Sequence, residues 1–298
     1  MRRKLVLGSI VVLLITNVVT LGMWLWSDNI KNVDYSVDFE PREPVAKVNG
    51  EKIAYKEWIG FLENRYGKKA LKDMINTRVV TQLADQEKVS FNQEVLQLEL
   101  SLLSTMEGKM SKKSIEEKEA QWTEEVTDRL YLEELVTKDV KVSEQEIRSY
   151  YEKYGEQYHF SPTIQLSHII VSDEDTAEEI IKELDAGASF SSLASKYTLD
   201  EETKNNGGYL GFYTKDSSFL PNEYYEQTEQ LDNHTYSDPF RTAEGITIVY
   251  LHRFLPEVNL SYEQLHAHLR REVALEKTSS HPDASKLWDN FEVEWIYE

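Results

Sequence analysis

Between Ile164 and Phe254 the chain changes its hydrophobic period from strand to helix and back, and this restricts its fold more than any other feature. Ile164–Val171 is a continuous strand-like run. Ala177, Ile180, Ile181 and Leu184 then fall at i, i+3, i+4 and i+7, the apolar face of a helix that Gly187 ends. Phe190, Leu193, Ala194 and Tyr197 repeat that spacing, and Gly207-Gly208 punctuates the chain before further strand candidates at 209–213, 238–241 and 245–254. Four short strands with two amphipathic helices predict an antiparallel sheet with helices laid on it, hence an α+β fold.

The N-terminus carries a second signal. Arg2, Arg3 and Lys4 precede an uncharged, mostly apolar run from Leu5 to Trp26. At ~1.5 Å per residue that run spans roughly the ~30 Å hydrocarbon core of a bilayer. It is longer than the ~7–15-residue apolar region of a secretory leader, no small-x-small cleavage site follows, and Trp24 and Trp26 stand where interfacial aromatics belong. The expectation is a single-pass signal anchor over 1–27 rather than a cleaved leader, with a cytoplasmic N-terminus and the remaining chain extracytoplasmic at the cell membrane. A Gram-positive surface and a periplasm both fit. The acidic stretch 28–44, with Pro41 and Pro44 near its end, reads as a linker.

There is no cysteine, which removes disulfides, thiolate metal sites, cysteine nucleophiles and a lipid on an N-terminal cysteine together. The net charge is −20, with 53 acidic against 33 basic residues. Such a surface repels phosphate backbones, so the expectation is no nucleic-acid partner. No trusted metal spacing, phosphate loop or G-x-S-x-G occurs; His266 and His268, two apart, leave a helix on different faces. The reading calls for no cofactor and no metal.

Helical stripes flank the central segment. Leu71, Met74, Ile75, Val79 and Leu83 form one; Val95, Leu98, Leu102 and Met106 another. Ser114 with Glu117, Ser143 with Glu146 and Ser261 with Gln264 have capping-box form. The helices they open carry Trp122, Val126, Leu130 and Leu135; Ile147, Tyr150, Tyr151 and Tyr154; and Leu265, Leu269 and Val273. Helix packing explains most of these, although some face outward if the bundle has a client cleft. Ahead of them Asn49-Gly50 divides two short alternating segments, a type I′ hairpin signal. Phe291, Val293, Trp295 and Tyr297 alternate as in a strand.

The string LSHIIV, the NNGGYLGFY turn and the DPFRTAEGITIVYL strand together resemble the parvulin family of peptidyl-prolyl isomerases. The flanks, VAKVNGEKIAYKEW and VSEQEIRSYYEKYGEQYHFSPT, look like the chaperone domain of PrsA- and SurA-type foldases. There an xVNGxxI hairpin leads a bundle that ends in a V-[ST]-x-x-E-I-x-x-Y-Y helix. The resemblance implies a discontinuous chaperone domain, 45–161 with 257–298, and an inserted parvulin-like domain at 162–256. It also implies that the last strand pairs with the Val45–Ile53 hairpin.

By the same resemblance SHIIV places the first active-site histidine at His168, and the acidic residue seven positions before the glycine pair falls at Asp200. Leu210 matches the apolar residue of G-G-x-L-G, Phe219 and Tyr224 the ring-binding pair, and Thr242 the threonine before the last strand. The family's G-x-H-[IL]-[IL] reads Gly245-Ile246-Thr247-Ile248-Val249 here, so Thr247 replaces the second histidine. A threonine can offer one hydrogen bond to His168 but no ring contact, which leaves catalytic competence open. Read without the family, His168 is a core histidine, Asp200 a cap, and Leu210, Phe219 and Tyr224 are core; the glycines supply positive φ.

Two functions follow. One is an anchored prolyl cis-trans isomerase and foldase acting on X-Pro bonds of unfolded secreted proteins. The other is a non-catalytic holdase with a degenerate parvulin domain. A structural envelope protein with neither activity is a distant third. Monomer and homodimer both stay open.

Overall fold

The structure is a computed structural model, and it describes residues 44–278 and 281–297. The apolar run Leu5–Trp26 and the linker before Pro44 lie outside these residues. Among the described residues no helix is long and apolar enough to cross a membrane. The chain divides into two units, split after Ala70.

In the first unit, strands β1 (Pro44–Val48) and β2 (Glu51–Ala54) pair antiparallel, with Val48 opposite Glu51. Asn49 (φ 50°) and Gly50 (φ 88°) take the two positive angles that the tight turn requires. Helix α1 (Tyr55–Leu62) follows directly, leaving Trp58 and Phe61 exposed.

The second unit contains most of α2 (Lys68–Glu87), then α3 (Gln93–Thr105), α4 (Lys112–Thr137) and α5 (Glu144–Tyr154). Ser143 forms the capping box expected of it, its hydroxyl accepting from the Glu146 N–H while the Glu146 carboxylate accepts from the Ser143 N–H. Ser114 does not. Ser111 heads α4 and accepts from the Ser114 N–H, because the polar run Ser111-Lys112-Lys113 already suits a first turn.

After β3 (His159–Phe160) the chain enters a five-stranded antiparallel sheet. It comprises β4 (Thr163–Val171), β5 (Tyr209–Thr214), β6 (Thr235–Tyr236), β7 (Phe240–Arg241) and β8 (Ile246–Leu255). The order is β5-β4-β8-β6, with β7 also on β8. Between β4 and β5 run α6 (Glu174–Asp185), α7 (Phe190–Tyr197) and the single turn α8 (Glu201–Lys204); α9 (Asn222–Thr228) precedes β6.

Alternation sorts β4 and β8 into two faces. Ile169, Val171, Ile246 and Ile248 pack under α6 and α7 with Ala177, Ile180 and Leu193. Ile164, Leu166, Val249 and Leu251 pack on the other face with Leu220, Tyr224 and Tyr225.

Strand β9 (Val258–Asn259) pairs with β3, so the chain leaves the sheet where it entered. It then forms α10 (Tyr262–Thr278), opened by the Ser261–Gln264 box. Helix α10 packs against α4 and α5, and Leu265 and Leu269 share a core with Val95, Leu98 and Ile147. The fold is therefore α+β, a helical part built from both flanks around an inserted antiparallel sheet. Arg253, 3% exposed, ties the parts together by donating to Gln165 Oε1 (3.1 Å) and the Ser104 carbonyl (3.1 Å).

The helical stripes are not wholly internal: Met74, Leu102 and Met106 are exposed. The tail departs further from expectation. Residues 291–297 form no strand, and among the described residues the sheet of β1 and β2 contains those two strands alone. Trp288, Trp295 and Tyr297 instead stack edge to face, and Trp288 Nε1 donates to Asn76. Aromatic packing satisfies the alternating residues without a partner strand.

Candidate functional site

His168 lies mid-strand on β4, 5% exposed, and the Gly207-Gly208 turn fixes its backbone. Its N–H donates to the Gly208 carbonyl at 2.8 Å. A Cβ on Gly208 would stand 2.1 Å from the His168 carbonyl oxygen, and the residue has φ +75°. Glycine is required there by both contact and conformation. Gly207 (φ 64°) and Gly211 (φ 107°) also take the positive φ expected of them.

Asp200 caps α8, accepting from the Glu202 N–H at 3.0 Å. Its other carboxylate oxygen meets His168 Nε2 at 2.8 Å and accepts from the Thr203 hydroxyl. Burial pushes the carboxyl up, but the bonds from Thr203, His168 and the Glu202 N–H outweigh it and hold Asp200 below its ordinary value. An ionised carboxylate only accepts, so His168 Nε2 is the donor. Asp200 is thus both a cap and a partner of His168.

On the other side His168 Nδ1 lies 2.9 Å from the Tyr224 hydroxyl. Tyr224 is 2% exposed, its phenol raised by burial, and it also hydrogen-bonds Thr247. Thr247 Oγ1 is 3.1 Å from Thr242 Oγ1, whose hydroxyl also reaches the Gly245 carbonyl. A polar chain therefore runs Asp200–His168–Tyr224–Thr247–Thr242. With the ring neutral, Nδ1 accepts from Tyr224, whose oxygen in turn accepts from Thr247. The hydrogen bond that a threonine here can offer goes to the Tyr224 phenol, which stands between Thr247 and His168.

Apolar groups border this chain. Leu210 and Phe240, both half-buried, pack with Leu220 around Tyr224, and the Phe240 ring meets Tyr224 edge-on with centroids 5.7 Å apart. Phe219 stays out, 88% exposed, while Leu220 beside it turns inward. The segment FLPNEYY offers both as apolar candidates, and only the start of α9 decides between them. The structure thus brings together His168, Asp200, Leu210, Tyr224, Thr242 and Thr247, and separates Phe219. Thr203 and Phe240 were not foreseen. Thr203 was findable, three residues beyond a capping aspartate; Phe240 lay in the strand candidate at 238–241, but nothing local marked it as a neighbour of Tyr224.

Half-buried apolar walls thus stand beside a fixed polar chain whose members hydrogen-bond one another. Nothing in the arrangement is activated as a nucleophile. Among the described residues no group of His, Asp and Glu is arranged to hold a metal ion.

Residues 142–266 match the family model described as the PPIC-type PPIASE domain. Over 256 residues the chain is 31% identical to a protein of Bacillus subtilis (strain 168) named "Putative peptidyl-prolyl cis-trans isomerase YacD", covering 86% of each. The foldase protein PrsA of Halalkalibacterium halodurans is 28% identical over 242 residues, 77% of this chain and 71% of that one. The crystal structure of PrsA from Bacillus subtilis is 22% identical, with 87% of this chain and 96% of that chain covered and a TM-score of 0.33.

Proposed function

The chain belongs to the PrsA/SurA-like foldases that carry a PpiC-type prolyl isomerase domain, and from that premise we propose that it catalyses cis/trans isomerisation of X-Pro bonds in unfolded secreted proteins. We assign isomerisation to 162–256 and client holding to 45–161 with 257–298. The basic residues Arg2, Arg3 and Lys4 and the apolar run after them support a single-pass anchor with these parts outside the cell membrane.

The observation that carries the catalytic reading is the Asp200–His168–Tyr224 chain set against Leu210 and Phe240. X-Pro rotation crosses a barrier of ~18–20 kcal/mol because amide resonance is lost in the twisted state. No bond to the substrate forms, so the site needs only an apolar slot for the ring and dipoles that favour the twisted amide. Leu210 and Phe240 supply walls, and the ionised Asp200 fixes the histidine's tautomer and orientation. Uncatalysed isomerisation takes ~10–100 s, slow enough to limit folding of exported chains.

The test is an isomerisation assay on X-Pro peptides with the full chain in nonionic detergent. Asp200→Ala is expected to lose about ten-fold in kcat/KM, roughly 1.4 kcal/mol. Absence of acceleration from folded protein, across several residues before the proline, would sink the catalytic reading.

The holdase reading has its own support: Thr247 in place of the family's second histidine, and Phe219 turned out to solvent. Under it, Asp200→Ala leaves suppression of client aggregation untouched and there is no rate to lose.

A further inference from the structure

Ser167, next to His168, points to the opposite face of the sheet, where a separate cleft of about 540 Å³ opens. Its chemistry contrasts with the rest of the molecule. In a chain of net charge −20, no aspartate or glutamate lines it. Lys109, Lys112, His234 and His252 do. Lys109 comes from the α3–α4 connection, Lys112 is the first residue of α4, His234 lies in the turn before β6, and His252 comes from β8.

Hydroxyl donors are gathered with these basic groups. Ser111, Ser189 and Ser191 line the same cleft, and Lys109 Nζ donates to Ser191 Oγ at 3.3 Å. Two helices begin there. Ser111 heads the 26-residue α4, and Ser189 heads α7 with no side-chain capping bond. Both helices turn their positive ends to the cleft. Its inner wall is the Ser167–His252 pair, with Ser167 Oγ 2.8 Å from His252 Nε2 and the two residues 1% and 6% exposed.

The two lysines lack acidic partners of their own among the described residues. Neither Lys109 nor Lys112 makes a salt bridge among the described residues, while many exposed lysines elsewhere do, Lys113 with Glu117 and Lys118 with Glu107 among them. Burial, then the charges of Lys109, His234 and Arg253, push the His252 imidazole down to about 3. Burial, then Lys112 and Arg253, hold the His234 imidazole below its ordinary value against the opposing charge of Glu116. The positive charge of Lys109 and Lys112, which no salt bridge offsets among the described residues, is completed by an anion. Two ammoniums, three hydroxyls and the first-turn N–H groups of α7 exceed the roughly four acceptor sites of a carboxylate and suit a phosphate group better.

We propose that this cleft, enclosed by Lys109, Lys112, Ser189, Ser191 and His234 behind the isomerase sheet, binds a phosphate group. The site lies on the face away from His168, and its occupancy does not depend on the prolyl isomerase reading.

Calorimetric titration of the full chain in nonionic detergent, at constant chloride and neutral pH, tests this with inorganic phosphate and with glycerol 3-phosphate. Saturable binding in the millimolar range or tighter is expected from at least one. Phosphate alone identifies a free-ion site, and a tighter ester identifies a group carried on a larger molecule. The Lys109→Ala/Lys112→Ala pair should weaken binding about ten-fold or more. Ser189→Asp should abolish it while preserving or raising the thermal midpoint, since aspartate is a good helix cap and its carboxylate occupies the anion's place. Neither variant should alter isomerisation. No saturable heat from either ligand, or equal affinity in both variants, overturns the proposal.

Discussion

Replacing Tyr224 by phenylalanine removes one oxygen from the middle of the polar chain, and its cost follows from what that oxygen holds. The hydroxyl is the partner of His168 Nδ1 at 2.9 Å and also meets Thr247. Thr247 keeps Thr242, so it loses little. His168 Nδ1 keeps nothing, in a residue 5% exposed. An unsatisfied buried acceptor costs about 1–3 kcal/mol, and the ring's apolar contacts survive, so that range is the whole expected loss. Tyr225, one position along α9 and 6% exposed, has no hydrogen bond through its hydroxyl among the described residues, and Tyr225→Phe should cost under about 0.5 kcal/mol. Urea unfolding measures both, read through a probe in the sheet so that the helical part does not obscure the transition. Nitrogen NMR of the imidazole adds an independent readout: a protonated Nε2 and an accepting Nδ1 in the parent, with only Nδ1 shifting strongly in Tyr224→Phe. Equal stability of the two variants, or unshifted ring nitrogens, would refute the bridge.

Gly208→Ala sets a methyl 2.1 Å from the His168 carbonyl oxygen and should cost more than about 2 kcal/mol. Gly187→Ala has a similar positive φ but open space, so it should cost only about 1 kcal/mol; equal thermal midpoints would remove the argument from close approach. His268 accepts from Arg271 Nη2 at 2.6 Å through Nδ1, and burial, then Arg271 and Arg129, push its imidazole down to about 3. The folded state thus holds it neutral while the unfolded chain protonates near 6.5. Its stabilising contribution is full above about pH 6.5 and is lost as pH falls towards 3, by at most about 5 kcal/mol. His268→Gln should flatten the stability profile between those limits, and an unchanged slope in urea unfolding would count against it.

What the sequence made legible was whatever depends on a few adjacent residues. The Asn49-Gly50 turn, the Ser143 and Ser261 boxes, the His168 strand and the Gly207-Gly208 turn are each set by local chemistry. What stayed hidden depends on distant partners. Ser111 outcompeted Ser114 because a cap is decided by where the preceding chain turns. The alternation at 291–297 satisfied a strand pattern, yet a strand needs a neighbour and these residues found aromatic contacts first. Phe219 and Leu220 are indistinguishable until α9 chooses which faces Val249. Tyr224 matched a ring-binding position, but its hydroxyl takes it under the site to His168. Phenylalanine could not have filled that second role.

The pairing of β3 with β9 has a consequence for how this molecule is made. Leu265 and Leu269 share their core with Val95 and Leu98, so the helical part cannot close until the polypeptide has emerged past α10. The sheet is contiguous and complete at Leu255. During vectorial synthesis it can therefore fold first, and in doing so it draws Phe160 and Val258 together. A closure across about a hundred residues is reduced to one across a few, which removes most of its entropic penalty. The inserted part thus acts as a clasp for the part that surrounds it. A lesion in the sheet, such as at Gly208, should delay assembly of helices it never touches.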